Sequence, residues 1–200
     1  MTISISWSAP IAPSQSLAGI PLGMRVTEFE EAIKVYAVNV AEGLYQFSGS
    51  PILKMIKNLD SDGGGGYGFF VCDLELTNWR LYYDSPSHPG VESRALHVLV
   101  RNRKIHAVKA WLYESLARGD KPVSSYQGKL PEGIGLGDLI RDLSTYTDLE
   151  FDSAEEWFYT DEKYGGLEVS GYGCDLNDDP DQIITALTVI GSSSSSDSIA

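Results

Sequence analysis

The chain has 200 residues, of which 42% are hydrophobic and 22% charged, with a mean hydropathy of −0.13 and an isoelectric point near 4.5. That composition belongs to one large globular domain or two small fused ones, and it excludes collagen-like, disordered and disulfide-scaffold classes for the bulk of the chain. A net charge of −13 argues against nucleic-acid binding, which needs clustered Lys and Arg to release counterions. No run approaches the ~20 apolar residues a bilayer requires, and Met1-Thr2-Ile3-Ser4-Ile5 lacks a basic leader followed by an apolar stretch, so the expected location is cytoplasmic, with no membrane partner.

Residues 1–16 carry Pro10, Pro13 and several serines and are expected as an extended arm or edge strand. Gly19-Ile20-Pro21-Leu22-Gly23 follows, then Thr27-Glu28-Phe29-Glu30 with the spacing of a capping box, with Phe29, Ile33, Tyr36 and Val40 on one helical face. Gly63-Gly64-Gly65-Gly66 lacks the Lys-Ser/Thr of a phosphate-binding loop and is expected as a loop between helix and strands. Period-2 patterning then predicts strands over residues 69–76, 79–83, 95–101 and 104–113, with Asn102-Arg103 as a tight turn.

The opener recurs as Gly133-Ile134-Gly135-Leu136-Gly137, 114 residues on and matching at four of five positions. Asp138 can cap a short helix carrying Leu139, Ile140 and Leu143, and strands follow over 154–160, 166–172 and 182–190. The closing strands also echo one another: Ile105-His106-Ala107-Val108-Lys109-Ala110 and Ile184-Thr185-Ala186-Leu187-Thr188-Val189. The same order in both halves predicts a duplication. The expected class is α+β, with two tandem helix-plus-antiparallel-meander repeats, helices packed on sheet. The divisions are 1–16 (arm), 17–129 (first repeat, with an insertion around 43–66), 130–190 (second, acidic repeat) and 191–200 (Ser-rich flexible tail).

The G-I-x-L-G opener, a helix and a meander ending on an apolar strand resemble the repeat of the beta-lactamase-inhibitor-protein-like fold, also seen in small outer-membrane assembly lipoproteins. With the acidic composition, the chain is similar to bacterial immunity proteins that accompany secreted effectors. No lipoprotein cysteine stands near the N-terminus, which departs from the lipoprotein branch. The resemblance implies a non-enzymatic protein that neutralises a toxin by covering its active site.

Charge distribution points to where such a partner would dock. Residues 138–200 hold 15 acids against Arg141 and Lys163, so the whole net charge lies in the last third. A field of one sign steers a basic partner toward it. Within it, Asp148, Glu150, Asp152, Glu155, Glu156, Asp161 and Glu162 surround Trp157, Phe158 and Tyr159. Strand alternation puts Trp157 and Tyr159 on one face and Phe158 on the other, leaving two aromatic anchors ringed by carboxylates. Those seven acids, Trp157 and Tyr159 are the expected partner-binding residues, and the expected partner is a basic toxin. The bland alternative makes Trp157 core and the acids a solvated rim.

Other constellations carry less. His97 and His106 flank the Asn102-Arg103 turn and would face one another across it as two metal ligands, without a third. Asp175 to Asp181 opens like a calcium loop but has Pro180 where Gly is required and Ala186 where a bidentate Glu belongs. Cys72 and Cys174 form no zinc or disulfide pattern. No metal and no cofactor is expected. A loading chaperone for a secreted or phage protein, and a metal-dependent module or enzyme, stand as alternatives.

Overall fold

A computed structural model describes residues 3–71, 80–81, 94–114 and 125–191. The elements are β1 (Ser16–Leu17), β2 (Ile20–Pro21), α1 (Val26–Ile33), a 3-10 turn (Lys34–Tyr36), β3 (Ala37–Asn39), β4 (Leu44–Tyr45), β5 (Leu53–Leu59), β6 (Gly65–Val71), β7 (Arg80–Leu81), β8 (Arg94–Arg101), β9 (Lys104–Trp111), β10 (Tyr113–Glu114), a second 3-10 turn (Ile140–Thr145), β11 (Leu149–Asp152), β12 (Trp157–Thr160), β13 (Leu167–Ser170) and β14 (Ala186–Ile190). Ten strands form one antiparallel sheet in the order β11-β12-β13-β14-β9-β8-β6-β5-β4-β3. Each half therefore runs as a meander, and the two join where β14 pairs with β9. The molecule is mostly antiparallel sheet with little helix, a sheet-dominated member of the expected α+β class.

Alternation decides the faces. Phe158, Val169, Leu187, Ala110, Leu96 and Phe69 are register partners in succession across six strands, and each is buried. Phe69 is edge-on to Phe47 at 5.1 Å, and Phe29 of α1 is edge-on to Tyr67 of β6 at 5.1 Å. α1 thus closes over the core through the face that carries Phe29 and Ile33. The residues before β1 are extended as expected but are no detached arm: Ile5, Trp7 and Ile11 are buried. Trp7 N–H donates to Ser48 O at 2.8 Å, and the buried Tyr126 hydroxyl accepts from Ala18 N–H at 3.2 Å while donating to Ala9 O.

The two G-I-x-L-G segments do the same work. Gly19, Gly23, Gly133 and Gly137 all have positive φ, between 76° and 85°. Gly23 N–H donates to Ile105 O and Ile105 N–H returns to Met24 O; Gly137 N–H donates to Ile184 O and Ile184 N–H returns to Asp138 O, all at 2.8–2.9 Å. Three residues past each second glycine, Val26 N–H reaches Arg103 O and Ile140 N–H reaches Gln182 O, at 3.0 and 3.1 Å. The first opener is clipped to the start of β9 and the second to the residues just before β14, and the partners, Arg103 and Ile105 against Gln182 and Ile184, keep the same two-residue spacing in both halves. Phe29 and Leu143, again 114 apart, are both fully buried.

Several elements differ from the sequence reading. The helix starts at Val26 because Arg25 is its N-cap, with Glu28 Oε2 accepting from Arg25 N–H at 3.2 Å. It ends at Ile33, so Tyr36 and Val40 leave its face and Val40 is exposed. The second helix is only a 3-10 turn capped by Leu139, while Asp138 instead accepts from Gly135 N–H. The glycines are not a connecting loop: Gly63 and Gly64 turn the β5–β6 hairpin, and Gly65 and Gly66 lie in β6. The span 43–66 is not an inserted loop: it contains β4, β5 and the start of β6, neighbours in the ten-stranded sheet. β11 is an edge strand that the reading lacked, and β12 begins at Trp157 rather than 154. Residues 72–79, 82–93 and 192–200, with Cys72, His88 and most of the Ser-rich tail, lie outside the described residues.

Candidate functional site, a charged aromatic sheet face

Opposite the core face, one register row crosses eight strands: Glu150, Tyr159, Glu168, Thr188, Lys109, His97, Gly68 and Ile56. Beside it runs Asp152, Trp157, Ser170, Ala186 and Trp111. The small Ser170 and Ala186 leave a cleft of about 230 Å³ between the two tryptophans, and Lys109 reaches into it. Its ammonium stands 3.3 Å from the Trp157 ring centroid and 5.0 Å from that of Trp111, the geometry of a cation–π contact on both sides. Arg94 lies over Phe70 and Trp111 at 5.6 and 5.3 Å, and His97 stacks on Trp111.

The middle of this face is polar but withdrawn from water. Lys109 is only 8% exposed, and burial pulls its ammonium down to about 8 despite the nearby Glu168. Burial also raises Glu168, against the pull of Thr188 and Lys109. His97 is held down to about 4 by burial and then by Arg94 and Lys109. Burial and the surrounding Glu168, Asp152 and Glu155 raise Tyr159. The site is therefore a row of segregated charge, with the cations Lys109 and Arg94 toward the middle of the sheet and carboxylates toward the β11 edge.

Of the expected partner-binding residues, Glu150, Asp152, Trp157 and Tyr159 share this face through the β11–β12 register. Glu155 and Glu156 lie in the turn that joins those strands, where Asp152 Oδ1 accepts from Ala154 and Glu155 N–H groups. Asp148, Asp161 and Glu162 sit at the other end of the hairpin. Asp161 is tied to the backbone there, accepting from Tyr164 N–H at 2.8 Å and from Asp148 N–H at 3.4 Å, and those bonds lower its carboxyl. Phe158 is in the core. Trp157 is not ringed by carboxylates alone, because the Lys109 ammonium covers its face.

Sequence reasoning missed Lys109, Glu168, His97 in this role, Arg94 and Trp111. The alternation of β9 signals which face Lys109 takes, but its meeting with Trp157 depends on β14 and β13 lying between their strands.

His97 and His106 do not oppose one another. His97 pairs with Lys109, and His106 falls at the bulge where Leu99 pairs with Ala107 and Val100 with Ile105. Among the described residues no group of three His, Cys, Asp or Glu side chains converges as a metal site. In the 175–181 loop the carboxylates serve the chain itself: Asp175 accepts from Asn177, Asp179 from Asp181 N–H, and Asp181 pairs with Arg141. The fully buried Gln182 pins that loop, accepting from Tyr172 N–H and donating to Cys174 O and Asp179 O, each at 3.0 Å. Cys174 is a free thiol, raised by burial and the adjacent aspartates.

Comparison of the chain with protein-family models, curated proteins and solved structures returns no match. Among the described residues no helix is long and apolar enough to cross a membrane.

Proposed function

We propose that this protein is a non-enzymatic binder of the immunity type, acting in the cytoplasm, that captures a basic secreted toxin with the β11–β12 hairpin and covers its active site. The supporting observation is the position of the acids. Seven of the fifteen acids of the last third lie in or beside the β11–β12 hairpin, at the edge of the ten-stranded sheet among the described residues, where Asp148, Glu150, Glu155, Glu156 and Glu162 are exposed. An edge strand offers unpaired backbone groups as well as side chains, so it suits an extended partner segment. Carboxylates there speed encounter with a basic surface and repel further copies of the same edge. The two clipped G-I-x-L-G segments support the finer reading of the fold, a duplicated helix-plus-meander unit whose first copy gained β6 and β8.

The test is co-expression with the product of the adjacent gene, scored by host viability and co-purification. Rescue with a stable complex is expected. Charge reversal of Glu155, Glu156, Asp161 and Glu162 should then weaken the complex at least tenfold and reduce its salt sensitivity. Recovery of no partner, or binding indifferent to the reversal, overturns the proposal; a complex without rescue favours a loading chaperone.

A further inference from the structure

A second charged site lies at the tip of the β8–β9 hairpin, where it meets the start of α1 and the β5–β6 turn around a cavity of about 390 Å³. Val26, Leu59 and Val100 give the cavity an aliphatic lining, and Arg25, Arg103 and Lys104 stand around it. The backbone fixes these three cationic residues together. Arg103 N–H donates to Gly63 O at 2.8 Å, Val26 N–H donates to Arg103 O at 3.0 Å, and Arg25 and Lys104 form an antiparallel bridge. Gly63 is required there, because a Cβ on it would stand 2.5 Å from Arg103 Cγ.

The chain carries 28 acids against 15 bases, yet Arg25, Arg103 and Lys104 form no ion pair with any described residue. Of the nearby acids, Asp60 also lines the cavity, and both it and Glu28 bond to backbone N–H groups rather than to the cationic side chains. Asp60 Oδ1 accepts from Gly64 N–H at 2.7 Å, and Glu28 Oε2 accepts from the backbone of Arg25 rather than its guanidinium. Three cationic residues around one cavity, forming no ion pair with a described residue, are suited to an oxyanion with several acceptor oxygens, which arginine takes in fork geometry. The first turn of α1 lines the same cavity through Val26 and Thr27 and adds the positive end of its dipole. The aliphatic lining gives an organic group a place to bury, and the volume falls in the range of small-molecule sites, ~300–1,000 Å³.

We propose that this cavity binds a phosphorylated small organic molecule of nucleoside-monophosphate size, with the phosphate on Arg25, Arg103 and Lys104 and the organic part against Val26, Leu59 and Val100. The site is separate from the acidic hairpin and takes a ligand of opposite charge to the protein partner proposed there.

The probes are AMP and inorganic phosphate, each at about 5 mM, added to the full chain and read by thermal unfolding and titration calorimetry. AMP is expected to raise the melting temperature by about 2 °C or more, phosphate by distinctly less, and the AMP effect should collapse between about 50 and 500 mM NaCl. Arg25→Gln and Lys104→Gln, singly and together, should abolish the AMP shift while Lys129→Gln leaves it intact. An absent AMP shift, an equal shift with phosphate, or a shift that survives high salt overturns the assignment. The salt titration needs no variant, so the test holds even where a substitution impairs folding.

Discussion

At the scale of single residues, His97 sets burial and neighbouring cations against its own protonation. Its ring stacks on Trp111 beside two cations, and a Cβ on Gly66 would come within 2.9 Å of its Nε2, so it has little room to reorient. The folded state holds His97 down to about 4, against about 6.5 in an unfolded chain. The folded state thus binds fewer protons between those values. Its neutral form contributes stability that is whole above pH 6.5 and is lost as the pH falls toward 4. Because the ring is only partly buried, the expected loss is about 1–2 kcal/mol after screening. Urea unfolding at pH 7 and pH 4.5 should show His97→Gln losing that much less stability than the parent, and parallel losses in the two proteins would exclude His97 as the origin.

At the scale of elements, the clipped openers separate two costs of replacing glycine. Gly19 and Gly23 share a φ of +76°, but a Cβ at Gly19 would stand 2.2 Å from Ser4 O, whereas nothing lies within 4 Å at Gly23. Gly23→Ala should therefore cost only the left-handed backbone, about 1–2 kcal/mol. Gly19→Ala must also push back the buried segment around Ile5, and its chemical-denaturation midpoint is expected to fall well below that of Gly23→Ala. Equal midpoints would mean that the segment yields without cost.

The openers were legible because glycine at a fixed spacing leaves a chemical mark, and β8 and β9 because both are eight-residue runs rich in apolar residues around a turn with positive φ. β5 was not, since Lys54, Ile56, Lys57 and Asn58 are all exposed and glycines follow it. β11 was missed because four residues cannot distinguish period 2 from period 3.6. In the candidate site, the acids of the hairpin were readable as a local cluster. The cationic half was not, since Lys109 reaches Trp157 only through strand pairings far apart in sequence.

At the scale of the whole molecule, the β9–β14 seam decides whether two similar halves behave as one body. Five register pairs, from Ala186 with Trp111 to Ile190 with Ala107, make the seam continuous. One hydrophobic cluster runs through it, from Phe29 and Tyr67 to Phe158 and Val169. Neither half has its own finished core, because β9 without β14 would expose an edge bearing Val108 and Ala110. Unfolding should accordingly be a single transition, with equal calorimetric and van't Hoff enthalpies. Leu187 is fully buried in β14, and Leu187→Ala is expected to cost about 2–5 kcal/mol. In a single body, that substitution lowers the global opening energy, so amide exchange should accelerate in β6 and β8 of the first half as much as in β12 and β13 of the second. Acceleration confined to β11–β14, or two resolved transitions, would instead show two units that merely adjoin, and the acidic hairpin would then be carried by a half able to open alone.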